Sequence, residues 1–123
     1  IEIIRKYEES ISYWISENDN GIYDAMNKGI EKCQGEVIGI VNADDYLYPN
    51  TLFEVSTAFE NNRDAVYTYG KLHLIDMCGD VFGEINTIDE ELIEKTKYTQ
   101  MPFAHPTMFI KKSVYKSVGL YEF

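Results

Sequence analysis

Residues 36–42, Glu36-Val37-Ile38-Gly39-Ile40-Val41-Asn42, form a nearly unbroken apolar run that breaks off sharply in Ala43-Asp44-Asp45. An apolar run without alternation describes a strand covered on both faces, which is the habit of strands in parallel sheets flanked by helices. Upstream of it, Ile22, Met26, Gly29 with Ile30, and Cys33 recur at helical spacing, while Asp24, Asn27, Lys28 and Glu31 fall elsewhere. This predicts an amphipathic helix closed by Gly35. Farther upstream lie a polar turn, Glu17-Asn18-Asp19-Asn20-Gly21, and a short aromatic and β-branched segment, Ser12-Tyr13-Trp14-Ile15-Ser16, that reads as a strand.

Downstream of the apolar run, Pro49 suits the first turn of a helix with Leu52, Val55 and Phe59 facing inward, and Ala65 to Tyr69 resumes as a strand. The order β-α-β-α-β predicts an α/β fold with a mostly parallel central sheet flanked by helices. After Gly70 the pattern changes: Lys71 to Asp76, a turn at Cys78-Gly79-Asp80, and Val81 to Gly83 predict a small hairpin. Thr87 and Glu90 have the spacing of a capping box for a short acidic helix. Thr107 to Ile110 is a further strand candidate, and no closing element is predicted after it. At the other end, Ile1, Ile3, Ile4 and Tyr7 have helical spacing with no cap before them, as though a helix were entered midway.

The chain has 123 residues, enough for one domain, and 45% hydrophobic content, enough for a core. Eleven basic against 21 acidic side chains give a net charge of −10, which argues against nucleic acid or an anionic membrane surface as the main partner. An anionic nucleotide stays possible because a divalent cation can reverse the local field. No apolar run approaches the roughly 18 to 20 residues that span a bilayer, and no secretory pattern opens the chain, so a cytoplasmic protein is expected. Cys33 and Cys78 are far apart and lack metal-ligand spacing; both are expected to be buried or half-buried thiols. The ten tyrosines can serve as core residues with a polar tip or as platforms for sugars and bases.

The leading site candidate is Asp44-Asp45, because open α/β sheets bind ligands beyond the carboxyl ends of their strands. Adjacent carboxylates repel unless something cationic neutralises them, and Mg²⁺ or Mn²⁺ bridging one carboxylate to a diphosphate would do so. The competing reading is a plain strand-end turn, where aspartate is favoured. Asp19 and Asn20 suit helix capping equally well, and Asp24, Asn27 and Lys28 suit a solvated helix face. Lys28 could instead act as a point charge on phosphate. His105, in Phe103-Ala104-His105-Pro106-Thr107, could touch a phosphate or a sugar hydroxyl, or be structural. His73 has no partner in view and is left as a surface or core residue.

Taken together, Ser16 through Ile30, then Gly35-Glu36, Val41-Asn42-Ala43-Asp44-Asp45, His105-Pro106-Thr107 and Gly119-Leu120-Tyr121-Glu122 resemble family 2 glycosyltransferases of the bacterial envelope-polysaccharide type. The resemblance implies a GT-A, Rossmann-like fold and inverting, metal-dependent transfer from a nucleotide-diphosphate sugar, UDP-linked by expectation. The acceptor would be a hydroxyl of a saccharide or lipid-linked saccharide, at the inner face of the membrane. It assigns Asp45 to Mn²⁺ or Mg²⁺ as part of a variant DxD motif and turns Asp44 toward the donor ribose or sugar. Asp19, Asp24, Asn27, Lys28, Asn42 and His105 would line the donor site. It further implies that 1–123 is the central part of a larger domain, without the N-terminal nucleotide-binding strand segment. The catalytic-base carboxylate would lie beyond Phe123, and removing a positioned base costs roughly 10² to 10⁴ in rate, so the chain alone is expected to be inactive. Acceptor choice is expected to fall to Ile85 through Met101, and an unpaired strand edge would favour a homodimer. The alternatives are a non-catalytic carbohydrate-binding or interaction module on the same scaffold, and a nucleotidyltransferase, which would need a Gly-rich phosphate loop not seen here.

Overall fold

The computed structural model describes residues 1–85 and 103–122. The predicted capping-box helix at Thr87 and the acceptor segment beyond Ile85 lie outside the described residues. A short helix α1 (Glu2–Lys6) and a 3-10 turn (Glu8–Ser10) lead to helix α2 (Ile22–Lys32), strand β1 (Val37–Gly39), helix α3 (Thr51–Asn61) and strand β2 (Tyr67–Thr68). Strands β3 (Leu72–Ile75) and β4 (Val81–Ile85) form a hairpin, and a 3-10 turn (His105–Thr107), strand β5 (Phe109–Lys111) and helix α4 (Lys112–Val118) follow.

The mixed helix and strand content matches the expectation, but the sheet does not run as predicted. The three-stranded sheet has the order β1-β5-β2, and β5 is antiparallel to both neighbours, pairing Ile38 with Ile110 and Thr68 with Phe109. Strands β1 and β2 therefore run in the same sense across α3, as a βαβ unit requires, but β5 takes the place between them. Every strand pair among the described residues is antiparallel. An apolar run reports that both faces of a strand are covered, not the direction of its neighbour, which is why β5 was not foreseen in the centre.

Strand β1 is also shorter than the apolar run. A Cβ built on Gly39 would stand 2.4 Å from Cε1 of Phe109, so the glycine is what allows the ring of the neighbouring strand to lie against the backbone. Among the described residues the buried hydrophobic ones are Phe109 on β5, Ile38 on β1 and Ile30 on α2. The inward face predicted for α3 holds for Val55 and Phe59, both half-buried, whereas Leu52 is 64% exposed. On α2, Ile30 is buried and Met26 half-buried, but Ile22 and Cys33 are exposed and Asn27 faces other protein atoms instead.

Three further expectations are corrected. Ser12–Ser16 carries no regular element: its backbone joins no ladder, and Trp14 donates its indole N–H to Glu8 Oε1 at 2.9 Å. Propensity alone does not make a strand without a neighbour to pair with. Both cysteines are exposed, Cys33 as the C-cap of α2 and Cys78 in the hairpin turn. A closing element does follow β5: α4 starts directly at Lys112, where Lys112 N–H donates to Glu36 O at 2.7 Å. The hairpin itself is as predicted, with Asp76 Oδ1 accepting the N–H groups of Cys78 and Asp80, and Gly79 at φ 88°. No helix among the described residues is long and apolar enough to cross a membrane.

Candidate functional site

The turn after β1 places two carboxylates at the edge of a cleft. Asp45 N–H donates to Asn42 O at 3.1 Å, closing the turn, and the Asn42 side-chain amide donates to Asp45 Oδ2 at 2.8 Å. The Asn42 contact fixes one oxygen of Asp45, and both aspartates are exposed. Among the described residues no lysine, arginine or histidine pairs with either of them.

The cleft has a volume of about 530 Å³. It is lined by Asp44 and Asp45, by Thr51 and Glu54 from the start of α3, by Tyr69 and Lys71 between β2 and β3, and by His73 on β3. Pro106 and Thr107 reach it from the 3-10 turn before β5. Its lining holds three carboxylates, Asp44, Asp45 and Glu54, against one lysine, Lys71. Such a lining carries a net negative charge and disfavours a bare anion. A pair of exposed carboxylates with an amide holding one oxygen fits the oxygen-rich, partly hydrated coordination of Mg²⁺ or Mn²⁺. No group of three or more histidine, cysteine, aspartate or glutamate side chains among the described residues could hold a metal, so the remaining ligands would come from phosphate and water.

The other candidate residues lie outside the cleft lining, Asp19, Asp24, Asn27 and Lys28 on α2 and the loop entering it and His105 in the 3-10 turn before β5. Asp19 Oδ1 accepts Gly21 N–H at 3.0 Å, an Asx turn that sets up Gly21 at φ 116° as the N-cap. Asp24 Oδ2 accepts the Asn20 N–H at 2.9 Å, and this hydrogen bond, followed by opposition from burial and help from Lys28, holds the carboxyl below its ordinary value. Lys28 Nζ lies 2.9 Å from Glu17 Oε1 and 3.4 Å from Asp24 Oδ2, and it donates to Asn18 O at 3.1 Å. The Glu17 carboxylate is the main cause of a Lys28 pKa raised above its ordinary value.

Asn27 works across the fold. Its side-chain amide donates to Tyr121 O at 2.9 Å while its oxygen accepts Tyr121 N–H at 3.0 Å, imitating a strand pair between a helix and the segment after α4. The Tyr121 ring stacks on Tyr23 at 5.5 Å, and its hydroxyl lies 3.1 Å from His105 Nε2. Tyr115 packs on the same ring; burial first, then its hydrogen bond with Tyr121, pushes the Tyr115 phenol pKa up. The structure thus divides the candidates into two groups. Asn42, Asp44 and Asp45 share one turn beside the cleft, whereas Asp19, Asp24 and Lys28 form a connected polar cluster, with Asn27 and His105 joined through Tyr121.

One lining group was missed. His73, given no partner by the sequence, sits between Tyr48 and Glu84 at 2.6 and 2.8 Å. The only hint in the chain is that His73 alternates with Leu72 and Leu74 on a short strand facing an acidic position of the next one.

The chain matches the Glycosyl transferase family 2 profile over residues 1–119. It is 28% identical over 122 residues to an uncharacterized glycosyltransferase of Methanocaldococcus jannaschii, covering 95% of this chain and 42% of the relative. It is also 24% identical over 106 residues to the PGL/p-HBAD biosynthesis glycosyltransferases of Mycobacterium bovis and Mycobacterium tuberculosis, covering 85% of this chain and 39% of each relative. The chain therefore spans about two fifths of the length of these curated relatives. With the match running almost end to end, the chain belongs to glycosyl transferase family 2.

Proposed function

We propose that this chain carries the donor site of a glycosyltransferase that moves a sugar from a nucleoside diphosphate, UDP by preference, to a hydroxyl acceptor with inversion. The observation that carries the reading is the Asp44-Asp45 pair, two carboxylates that have no cationic partner among the described residues and that line a cleft of about 530 Å³. Family membership supports sugar transfer in general; the donor, the metal and the residue roles are this proposal's own.

On this reading Asp45 holds Mn²⁺ or Mg²⁺ with its orientation set by the Asn42 amide, and Asp44 faces the donor ribose or sugar. When bound, the metal supplies charge neutralisation for the departing diphosphate. Lys71 adds a cation to the same cleft. The α2 cluster of Asp19, Asp24, Asn27 and Lys28, together with His105, supports the donor site from outside the cleft by holding the Glu17–Gly21 loop and the Tyr121 segment in place. The remaining rate enhancement comes from holding the acceptor hydroxyl in line with the anomeric carbon, and the base that takes its proton is proposed to lie beyond Phe123. The whole enzyme would work on a saccharide or lipid-linked saccharide at the inner membrane face.

Calorimetric titration with UDP and the other nucleoside diphosphates, each with Mn²⁺ and with EDTA, tests the reading on the native chain and on Asp45→Ala. Binding that needs metal and disappears in Asp45→Ala is expected. Binding indifferent to EDTA and to Asp45→Ala would instead mark a binding module on the same scaffold.

A further inference from the structure

The cleft contains a side-chain relay that the donor reading does not use. Tyr48, from the loop entering α3, and His73, on β3, both line the cleft, and the Tyr48 hydroxyl lies 2.6 Å from His73 Nδ1. His73 Nε2 lies 2.8 Å from Glu84 Oε2 on β4, its cross-strand partner in the hairpin, and the other oxygen of Glu84 is 3.4 Å from Lys71 Nζ. The polarity of this relay follows from what each group can do. An ionised carboxylate only accepts, so Nε2 carries a ring proton; with the imidazole neutral, Nδ1 is then an acceptor and the Tyr48 O–H donates to it.

A phenol whose single proton is committed to His73 offers only lone pairs to anything else. Phosphate oxygens also only accept, so the Tyr48 oxygen has nothing to give a diphosphate. A sugar hydroxyl, which donates as well as accepts, is its natural complement. Tyr48 is 51% exposed, leaving room for such a contact, and the neighbouring Tyr46 ring, 6.2 Å away edge-on, adds an apolar surface beside it.

We propose that Tyr48 is a specificity-determining contact for a sugar hydroxyl, and that His73 and Glu84 are positioning residues that hold its oxygen in the accepting state. The identity of the ligand rests on the donor reading above; the relay itself rests on the hairpin geometry.

The test compares the affinities of UDP, UDP-glucose, UDP-galactose and UDP-N-acetylglucosamine, all with Mn²⁺, for the native chain, Tyr48→Phe and His73→Leu, with circular dichroism confirming that each is folded. For at least one of the three sugars, Tyr48→Phe should weaken the nucleotide sugar relative to UDP by roughly 3- to 10-fold, the weight of one neutral hydrogen bond. His73→Leu should shift the same ratio in the same direction. A ratio unchanged by Tyr48→Phe for all three sugars overturns the proposal and leaves the donor reading standing. A ratio lowered by Tyr48→Phe but not by His73→Leu overturns the positioning role. If no nucleotide binds, titration with methyl α-glucoside followed through the backbone amide resonances of residues 46–48 decides: shifts seen in the native chain and absent in Tyr48→Phe and His73→Leu keep the sugar contact while the donor reading falls, and no shift in the native chain overturns both.

Discussion

Two acidic segments of this chain are built from the same residue types and come to opposite ends. In the loop entering α2, the carboxylates of Glu17, Asp19 and Asp24 are satisfied from within: Lys28 pairs with Glu17 and Asp24, Asp24 also accepts the Asn20 N–H, and Asp19 accepts the Gly21 N–H. In the turn after β1, Asn42 fixes one oxygen of Asp45, and no cation of the described chain answers either aspartate. The first segment has spent its charge on structure. The second has no such counter-charge among the described residues, and both of its aspartates line the cleft. A carboxylate's presence in a motif is therefore less informative than whether the fold has already neutralised it.

The sharpest way to break this contrast is to remove one carboxylate from each segment. Asp45→Ala is expected to cost roughly 100-fold or more in Mn²⁺-dependent UDP affinity, in line with the loss of one partner of a charged contact. Its stability in chemical denaturation should stay within about 0.5 kcal/mol of the native chain, as for an exposed substitution. An Asp45→Ala chain that unfolds more readily while binding normally would place the aspartate with the structural group.

Next in size are two substitutions that read the structural side. Asn27→Ala removes both hydrogen bonds to the Tyr121 backbone and should cost about 2 kcal/mol of stability, at about 1 kcal/mol for each bond. Gly39→Ala drives a methyl group into the buried Phe109 ring and should cost about 1–3 kcal/mol, the usual range for overpacking. Urea denaturation followed by Trp14 fluorescence or circular dichroism measures both.

The smallest expected effect is that of pH on the α2 cluster. The folded Asp24 carboxyl lies below its ordinary value of 3.8, so its contribution is present above that value and is lost as pH falls through the folded one. The Lys28 pKa is raised above 10.5, so the Lys28 contribution is present below that value and is lost only as pH rises through the folded one. The half-buried Tyr115 phenol, also raised, loses its contribution on the same alkaline side. Asp24→Asn should therefore flatten the acid limb of a stability-against-pH profile while leaving the alkaline limb in place. An unchanged acid limb would mean that Asp24 does not hold the loop.

The contrast itself was not legible in the sequence, which set both segments in one donor site; what was legible is local. The run Val37 to Val41 breaking at Asn42, the spacing of Met26 and Ile30, and the Asp76–Asp80 turn are all decided by neighbours a few residues away. What escaped depended on distant partners. Asn27 meets Tyr121 across 94 positions, and Tyr48 meets His73 across 25, so neither bond leaves a mark in a short window of sequence. The place of β5 between β1 and β2 escaped for the same reason, since a three-residue strand carries its burial in its composition but not its direction. The exposed cysteines show the reverse error: a general tendency of thiols to be buried gave way to positions at a helix end and in a turn.

The central claim is that the Asn42–Asp45 turn, and not the α2 cluster, is where the chain accepts a cation with its ligand. Paramagnetic broadening of amide resonances by Mn²⁺ in the presence of UDP tests it directly. The account predicts that signals of Asn42 to Tyr46 and of the facing Tyr69 to His73 broaden and are restored by EDTA, with those of Glu17 to Lys28 affected far less. Broadening centred on Asp24 and Lys28, or none near Asp45, would contradict it.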